Sequence, residues 1–201
     1  DYKQIEEDIN RLTAYYRGLG FFLARVGRKL DFNDDRTWLT LTFVIDEGPR
    51  YKIRNVAILG TTKIATDELN HDLKLKPGQY FDQAKMTADV ATMQDMYGGI
   101  GYIFADCRPD PRFLEEPGQL DLVYNVKEGD RYRVGRVNVQ IKGEYPHTRL
   151  NTVLNRMSIR PGDIVDIREL RASERRMKAS GLFAIDPQRG VARLGLISKE
   201  I

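Results

Sequence analysis

Residues 47–53, Glu-Gly-Pro-Arg-Tyr-Lys-Ile, return at residues 128–134 as Glu-Gly-Asp-Arg-Tyr-Arg-Val. A second stretch, residues 76–82 (Lys-Pro-Gly-Gln-Tyr-Phe-Asp), returns at residues 160–166 as Arg-Pro-Gly-Asp-Ile-Val-Asp. The two offsets are 81 and 84 positions. Markers that recur in one order at a near-constant spacing indicate tandem structural repeats.

A third marker occurs three times and divides the chain into repeats. It is a glycine followed by two apolar residues, at Gly20-Phe21-Phe22, Gly101-Tyr102-Ile103 and Gly181-Leu182-Phe183. A fourth is a glycine that closes an apolar run, at Gly60 and Gly143. We predict a partial repeat at 1–48 (second helix and last two strands), a complete repeat at 49–129, and a third repeat at 130–201, where few residues remain for a final strand.

The complete repeat begins with a strand and two helices. Residues 51–59 are apolar and β-branched, which predicts a strand ending at Gly60. Thr66 supplies a capping hydroxyl for a short helix, which Pro77-Gly78 ends. Asp82 caps a second helix whose apolar stripe is Met86, Val90, Met93 and Tyr97.

Two strands complete this repeat. Residues 102–108 predict one strand, broken by Pro109 and Pro111. Residues 120–126 alternate between apolar and polar side chains, as in a half-buried strand. The predicted order is therefore strand, helix, helix, strand, strand.

The flanking repeats follow the same order. In the first, residues 5–19 predict a helix, and residues 21–32 and 38–45 predict strands. In the third, we predict a strand at 134–141, a helix at 148–157, a capping box at Asp166-Ile167-Arg168-Glu169, and a strand at 191–197.

This pattern resembles the POTRA repeats of the BamA-type family of outer-membrane protein assembly factors. The resemblance implies an α+β fold of tandem βααββ modules, each a three-stranded mixed sheet with two helices on one face. It also implies a periplasmic location, attached to the bacterial outer membrane through a C-terminal β-barrel of the longer protein. The implied partners are unfolded outer-membrane clients and accessory assembly proteins.

The resemblance further implies that the second strand of each repeat lies at a sheet edge. An unpaired edge presents backbone N–H and C=O groups to an extended chain, so a client can bind by strand addition. The candidate client-strand residues are Phe22, Ala24, Val26, Ile103, Phe104, Ala105 and Cys107. An edge blunted by charges such as Arg25, Arg28 and Lys29 is the alternative.

Very short connections join the repeats. The candidate hinge residues are Glu47, Gly48, Pro49, Glu128, Gly129 and Asp130. Short connections limit rotation between modules, and a plain turn is the alternative interpretation.

The sequence gives little support for an enzyme or for a metal-binding protein. The two histidines, His71 and His147, have no histidine or cysteine partner at i, i+4, and Cys107 has no neighbouring histidine to activate it. The acidic pairs Asp34-Asp35 and Glu115-Glu116 lie in hydrophilic turns, unlike the desolvated carboxylates of general acids. We expect no enzyme activity, no catalytic residue, no cofactor and no metal.

Nucleic-acid binding is the alternative function. The third repeat is rich in basic residues, namely Arg149, Arg156, Arg160, Arg168, Arg171, Arg175, Arg176 and Lys178. A basic helix can follow a phosphate backbone. However, acidic residues are interleaved on the same helices, aromatic stacking residues are absent from those helices, and the net charge is only +3. A polypeptide-binding module is therefore favoured, and a scaffold for accessory proteins is compatible with it.

Overall fold

The computed structural model describes residues 2–139 and 150–180. Contacts divide the chain into two compact units. The first comprises Asp1–Leu59, Thr66–Val90 and Arg108–Asn125, and the second comprises Gly60–Ala65, Ala91–Cys107 and Val126–Ile201. Within the described residues, no helix has the length and hydropathy needed to cross a bilayer.

The first unit begins with helix α1 (Tyr2–Gly18) and a hairpin of strands β1 (Arg25–Phe32) and β2 (Leu39–Asp46). The hairpin is antiparallel, with its register running from Arg25↔Asp46 to Phe32↔Leu39. The strand predicted from residue 21 begins only at residue 25, because residues 21–24 form a turn closed by a backbone hydrogen bond from Ala24 to Phe21 (3.0 Å). Phe22 and Ala24 therefore precede the strand.

The middle repeat has the predicted order of elements. Its elements are β3 (Lys52–Leu59), α2 (Thr66–Asp72), α3 (Gln83–Gly99), β4 (Asp106–Phe113) and β5 (Gln119–Lys127). The sheet order is β3-β5-β4, with β3 parallel to β5. This mixed three-stranded sheet with two helices confirms the predicted fold class.

Alternation along β5 explains its central position. Leu120, Leu122, Tyr124 and Val126 are all buried, as their period of two predicts, and Val123 on the other face is buried as well. Leu69 and Leu73 are buried on or beside α2. Each fully buried leucine contributes about 2 kcal/mol to stability.

Strand β4 corrects one prediction. The strand was expected to end before Pro109 and Pro111, but β4 continues through both prolines to Phe113. The reason is its place in the sheet: among the described strands, β4 is paired only with β5. A proline is tolerated at an edge when its nitrogen faces away from the paired neighbour.

The third repeat contains helices α4 (Leu150–Leu154) and α5 (Ile167–Ala179). Asp166 caps α5 as predicted, accepting a hydrogen bond from the Arg168 backbone N–H (2.8 Å). The strand predicted from residue 134 is not formed up to residue 139, the last described residue there; Arg133 alone makes a bridge, to Ile164. Gly143, His147, Arg149, Gly181 and the strand predicted at 191–197 lie outside the described residues.

Candidate polypeptide-binding edges and inter-repeat junctions

The first junction, within the first compact unit, joins the exit of α1 to the start of β3. The Tyr51 N–H donates to the Gly20 carbonyl (2.9 Å), and the Phe81 N–H donates to the Tyr51 carbonyl (3.0 Å). The Arg50 guanidinium Nε donates to the Leu19 carbonyl (2.9 Å). Two of these hydrogen bonds, from the Tyr51 N–H and the Arg50 Nε, hold the first repeat to the second, and the third, from Phe81, fixes Tyr51 within the second repeat.

The second junction, within the second compact unit, repeats these three bonds. The Tyr132 N–H donates to the Gly101 carbonyl (2.9 Å), and the Val165 N–H donates to the Tyr132 carbonyl (3.1 Å). The Arg131 Nε donates to the Ile100 carbonyl (3.0 Å). The recurring Arg-Tyr pair and the recurring glycine are therefore the two sides of one anchor.

Glycine is required at both anchors. Gly20 has φ +94° and Gly101 has φ +98°, a region that other residues adopt with strain. A Cβ on Gly20 would stand 3.0 Å from the Phe81 carbonyl oxygen, and one on Gly101 would stand 2.8 Å from Ile164. Backbone conformation and space thus exclude a side chain at both positions.

Side chains around the first anchor are aromatic. The Phe22 ring lies 5.4 Å from Tyr51, 4.9 Å from Phe81 and 4.8 Å from Phe113, measured between centroids. Arg50 lies over the Tyr80 ring at 4.5 Å. Aromatic pairs and cation–π contacts of this kind add to the free energy gained from burial.

Side chains around the second anchor are mainly aliphatic and charged. Phe104 makes an edge contact with Tyr132 at 5.2 Å, but its side chain is 67% exposed. Ile164 and Val165 stand where the first junction has Tyr80 and Phe81. An exposed ion pair, Arg171 with Asp95 at 2.6 Å, adds under about 1 kcal/mol.

Four of the predicted client-strand residues lie at or near the junctions rather than on edges. Phe22 belongs to the aromatic group of the first junction, and Phe104 contacts Tyr132. Ile103 packs against the buried cluster of Val134, Ile159 and Val165. Ala24 is buried in the turn before β1. This placement arises because the chain makes a turn before each of the two strands, β1 and β4, begins.

Of the remaining three, Val26 lies in β1 and Cys107 in β4, while Ala105 is buried just before β4. The Cys107 side chain is also buried, and burial, followed by the nearby charge of Asp106, raises the pKa of its thiol to about 11. The thiol stays protonated at neutral pH and is a poor nucleophile.

The predicted hinge residues differ in their contacts. Gly48 and Gly129 share a positive φ, +63° and +69°. Glu47 is exposed, whereas the Glu128 carboxylate accepts hydrogen bonds from the Thr62 N–H (2.6 Å), the Lys63 N–H (2.8 Å) and the Tyr97 hydroxyl (3.0 Å). Partial burial alone would raise the pKa of Glu128, but a hydrogen bond from the Thr62 hydroxyl (2.5 Å), together with these three, outweighs it and lowers the pKa to about 2. Glu128 is thus firmly held inside the second unit.

The two candidate edges differ in hydrogen-bonding capacity. On β4, Pro109 and Pro111 carry no N–H, so the unpaired side lacks two donors. Strand β1 contains no proline, and among the described strands only β2 pairs with it. Its charges are partly engaged, since Arg28 pairs with Glu6 (2.5 Å) and Lys29 pairs with Asp31 (2.9 Å). Strand β1 therefore lacks the prolines that remove backbone donors from the edge of β4.

Sequence reasoning missed Asp89, whose side chain is fully buried on α3. It accepts hydrogen bonds from the Lys74 N–H (2.6 Å), the Leu75 N–H (3.0 Å) and the Tyr124 hydroxyl (3.1 Å). Burial, followed by the charge of Asp89, raises the pKa of Tyr124. The repeat offset offered a clue, because 84 positions later the buried Ser173 makes the corresponding bond with the Ser158 N–H (3.2 Å).

Within residues 2–139 and 150–180, two observations concern metal binding and nucleic-acid binding. No group of three potential metal ligands occurs there. Several basic side chains of the third repeat are engaged within the protein: Arg168 with Asp166, Arg171 with Asp95, Lys178 with Glu174, and Arg176 with Ser158 and Ser173. These contacts leave less of the basic surface for a phosphate backbone.

The geometry agrees with comparisons to known proteins. A family model described as "POTRA: Surface antigen variable number repeat" matches residues 1–48 and 51–129. The outer membrane protein assembly factor BamA of Neisseria meningitidis is 25% identical over 183 residues, covering 90% of this chain and 23% of that protein. BamA of Nitratidesulfovibrio vulgaris is 29% identical over 185 residues, again covering 90% and 23%. This chain thus spans less than a quarter of these relatives.

A solved structure shares the fold. The crystal structure of Haemophilus influenzae BamA POTRA3-5 matches with a TM-score of 0.66 at 21% identity, covering 90% of this chain and 70% of that one. At this level of identity the match concerns the fold alone.

Proposed function

Because this chain belongs to the POTRA family, we propose that it is a periplasmic segment of an outer-membrane protein assembly factor. In this role it binds unfolded outer-membrane clients by strand addition and passes them toward a membrane β-barrel of the same longer protein. It also provides a scaffold for accessory assembly proteins. The role is one of binding, without a catalytic residue or a cofactor.

The observation that carries this proposal is the edge of β1 with which no other strand pairs in the part of the chain that the structure describes. Main-chain hydrogen bonds along an edge give affinity with loose side-chain requirements, which suits clients of varied sequence. The β1 edge keeps all of its backbone donors, because it contains no proline between Arg25 and Phe32. In β4, Pro109 and Pro111 have no N–H to donate. In that stretch an added strand could therefore only donate its own N–H groups to the carbonyl oxygens of β4.

The predicted hinge residues enter the proposal as the places where the array bends. Between the first two repeats we assign bending to residues 47–49. At the next connection we assign it to Gly129 and Asp130, because Glu128 is held by Thr62, Lys63 and Tyr97.

The test is site-specific crosslinking. A photo-crosslinking residue replaces Lys29 in β1, and in a matched variant it replaces Thr42, which lies directly opposite Lys29 on β2. With an unfolded outer-membrane β-barrel protein as client, position 29 should crosslink strongly and position 42 weakly, since an added strand lies about 5 Å from β1 and twice as far from β2. Equal crosslinking at both positions, or none, would contradict strand addition at this edge.

A third position addresses β4. The crosslinking residue at Arg112, which flanks the two prolines, should capture less client than position 29. Stronger capture at Arg112 would make β4 the main edge and would overturn our ranking of the two strands.

A further inference from the structure

Gly27 lies in the middle of β1, where the structure gives no local reason for a glycine. It is not among the glycines with positive φ. A Cβ at this position would meet only the Val44 carbonyl oxygen, at 3.9 Å, which is an ordinary contact. Glycine weakens the interior of a strand, and where neither backbone nor packing requires it, it often marks a place where another chain approaches.

The surroundings of Gly27 form a shallow slot. Val44 is its cross-strand partner, and the Val44 side chain is 56% exposed. Arg25 and Lys29 lie two residues to either side on the same face of the strand, and both are exposed. The slot thus has a small, apolar floor between two cations, of which Lys29 also pairs with Asp31 (2.9 Å) and Arg25 lies opposite Asp46 on β2.

We propose that this slot receives an aromatic side chain of the client strand that adds to the β1 edge, with acidic client residues at the flanking alternate positions. The proposal rests on the proposed function and specifies its preferred client. An aromatic ring placed across from a glycine at a strand edge covers the exposed backbone and contacts diagonal neighbours. Here the diagonal neighbours are the cations of Arg25 and Lys29, which favour an aromatic face and acidic flanks, while Val44, one strand beyond Gly27, offers apolar contact to a ring that lies across the glycine.

The middle repeat provides an internal comparison. The buried alanines before the strands, Ala24 and Ala105, are 81 positions apart. The same offset places Arg108 where β1 has Gly27, and Asn125 where β2 has Val44. The floor of the slot is therefore absent from the middle repeat, as are the donors removed by Pro109 and Pro111. Both differences assign the aromatic preference to the first repeat.

The test uses two peptides about ten residues long, the upper end of the usual range of strand lengths. They alternate apolar and polar residues and carry glutamates two positions from the centre. One has tyrosine at the centre and the other has alanine. We expect the whole 201-residue chain to bind the tyrosine peptide about fivefold more tightly, the amount that a favourable cross-strand aromatic contact supplies.

Gly27→Val fills the slot while favouring the strand, so the fold should remain intact, with a melting temperature equal to or above that of the unaltered chain. The variant should bind both peptides equally. Gly27→Arg, which copies the middle repeat, should also abolish the preference. Thr42→Val, on the same sheet face but one strand away from the edge, should keep it.

The outcomes separate the two proposals. If both peptides bind equally well and shift the β1 amide resonances, strand addition stands and the aromatic slot is wrong. If Gly27→Val retains the tyrosine preference, the slot is also wrong. If neither peptide binds, both this inference and the proposed edge of β1 fail.

Discussion

The two junctions use the same main-chain bonds but surround them with different side chains. At the first, Phe22, Tyr51 and Phe81 pack their rings around the anchor. At the second, aliphatic residues replace two of the rings, and an exposed ion pair adds little. The comparison indicates that backbone atoms determine how two repeats join, whereas the side chains determine how strongly. Amide hydrogen exchange of Tyr51 and Tyr132 reports on each junction separately, because each N–H closes one anchor.

The largest effect should come from the anchor glycines. Gly20→Ala should lower the free energy of opening at Tyr51 by about 3 kcal/mol, because it combines backbone strain with a clash against the Phe81 carbonyl. Gly78→Ala is the control, since Gly78 has φ +85° but nothing within 4 Å of a Cβ. It should cost only about 1 kcal/mol. Equal costs would show that the close approach at Gly20 is not important.

A smaller effect should come from removing one aromatic ring at each junction, and its size should differ between the two junctions. Phe22→Ala should cost about 2 kcal/mol at Tyr51, less than for a fully buried phenylalanine because the ring is half-buried. Phe104→Ala should cost less than about 1 kcal/mol at Tyr132, since that ring is mostly exposed. Exchange rates at the two tyrosine amides measure both. The aromatic account of the first junction would be wrong if the two substitutions were equivalent.

The smallest effect should be pH-dependent and confined to Glu128. Folding lowers the pKa of Glu128 from an ordinary 4.5 to about 2, so its stabilisation is complete above pH 4.5 and is lost as the pH falls toward 2. Glu128→Gln should remove part of this acid sensitivity and cost about 1 kcal/mol at neutral pH, because hydrogen bonds to a partly exposed charge are screened.

The control for this prediction is Glu47→Gln. Glu47 occupies the same place before the first junction but is exposed. Urea unfolding measured from pH 6 to about pH 2 should show a flatter profile for the Glu128 variant alone. If both variants gave parallel profiles, Glu128 would not be the source of the acid sensitivity.

Much of the fold was predictable because its markers act through the backbone. Gly20 and Gly101 recur since a positive φ and a close carbonyl allow nothing else, and such constraints are visible in a sequence. The alternation of Leu120, Leu122 and Tyr124 likewise predicted a buried strand. These features depend on local chemistry, so they need no knowledge of the partner.

What could not be predicted depends on distant partners. Pro109 was expected to break its strand, and only the sheet order shows that β4 is paired on one side and tolerates it. Asp89 resembles a surface residue of a helix until the amides of residues 74 and 75 are placed beside it. Phe22 and Phe104 were assigned to edges because a turn of a few residues could not be distinguished from the first residues of a strand.

The anchors have one further consequence, which concerns how such arrays evolve. In each anchor the acceptors are backbone carbonyl oxygens, and the donors are two backbone amides and one arginine side chain. The hydrogen bonds of the anchor therefore depend on few of the surrounding side chains. A glycine at the helix exit of one module and Arg-Tyr at the start of the next are the features that both junctions of this chain share. Gene duplication or recombination can lengthen, shorten or shuffle the series without redesigning a complementary interface each time.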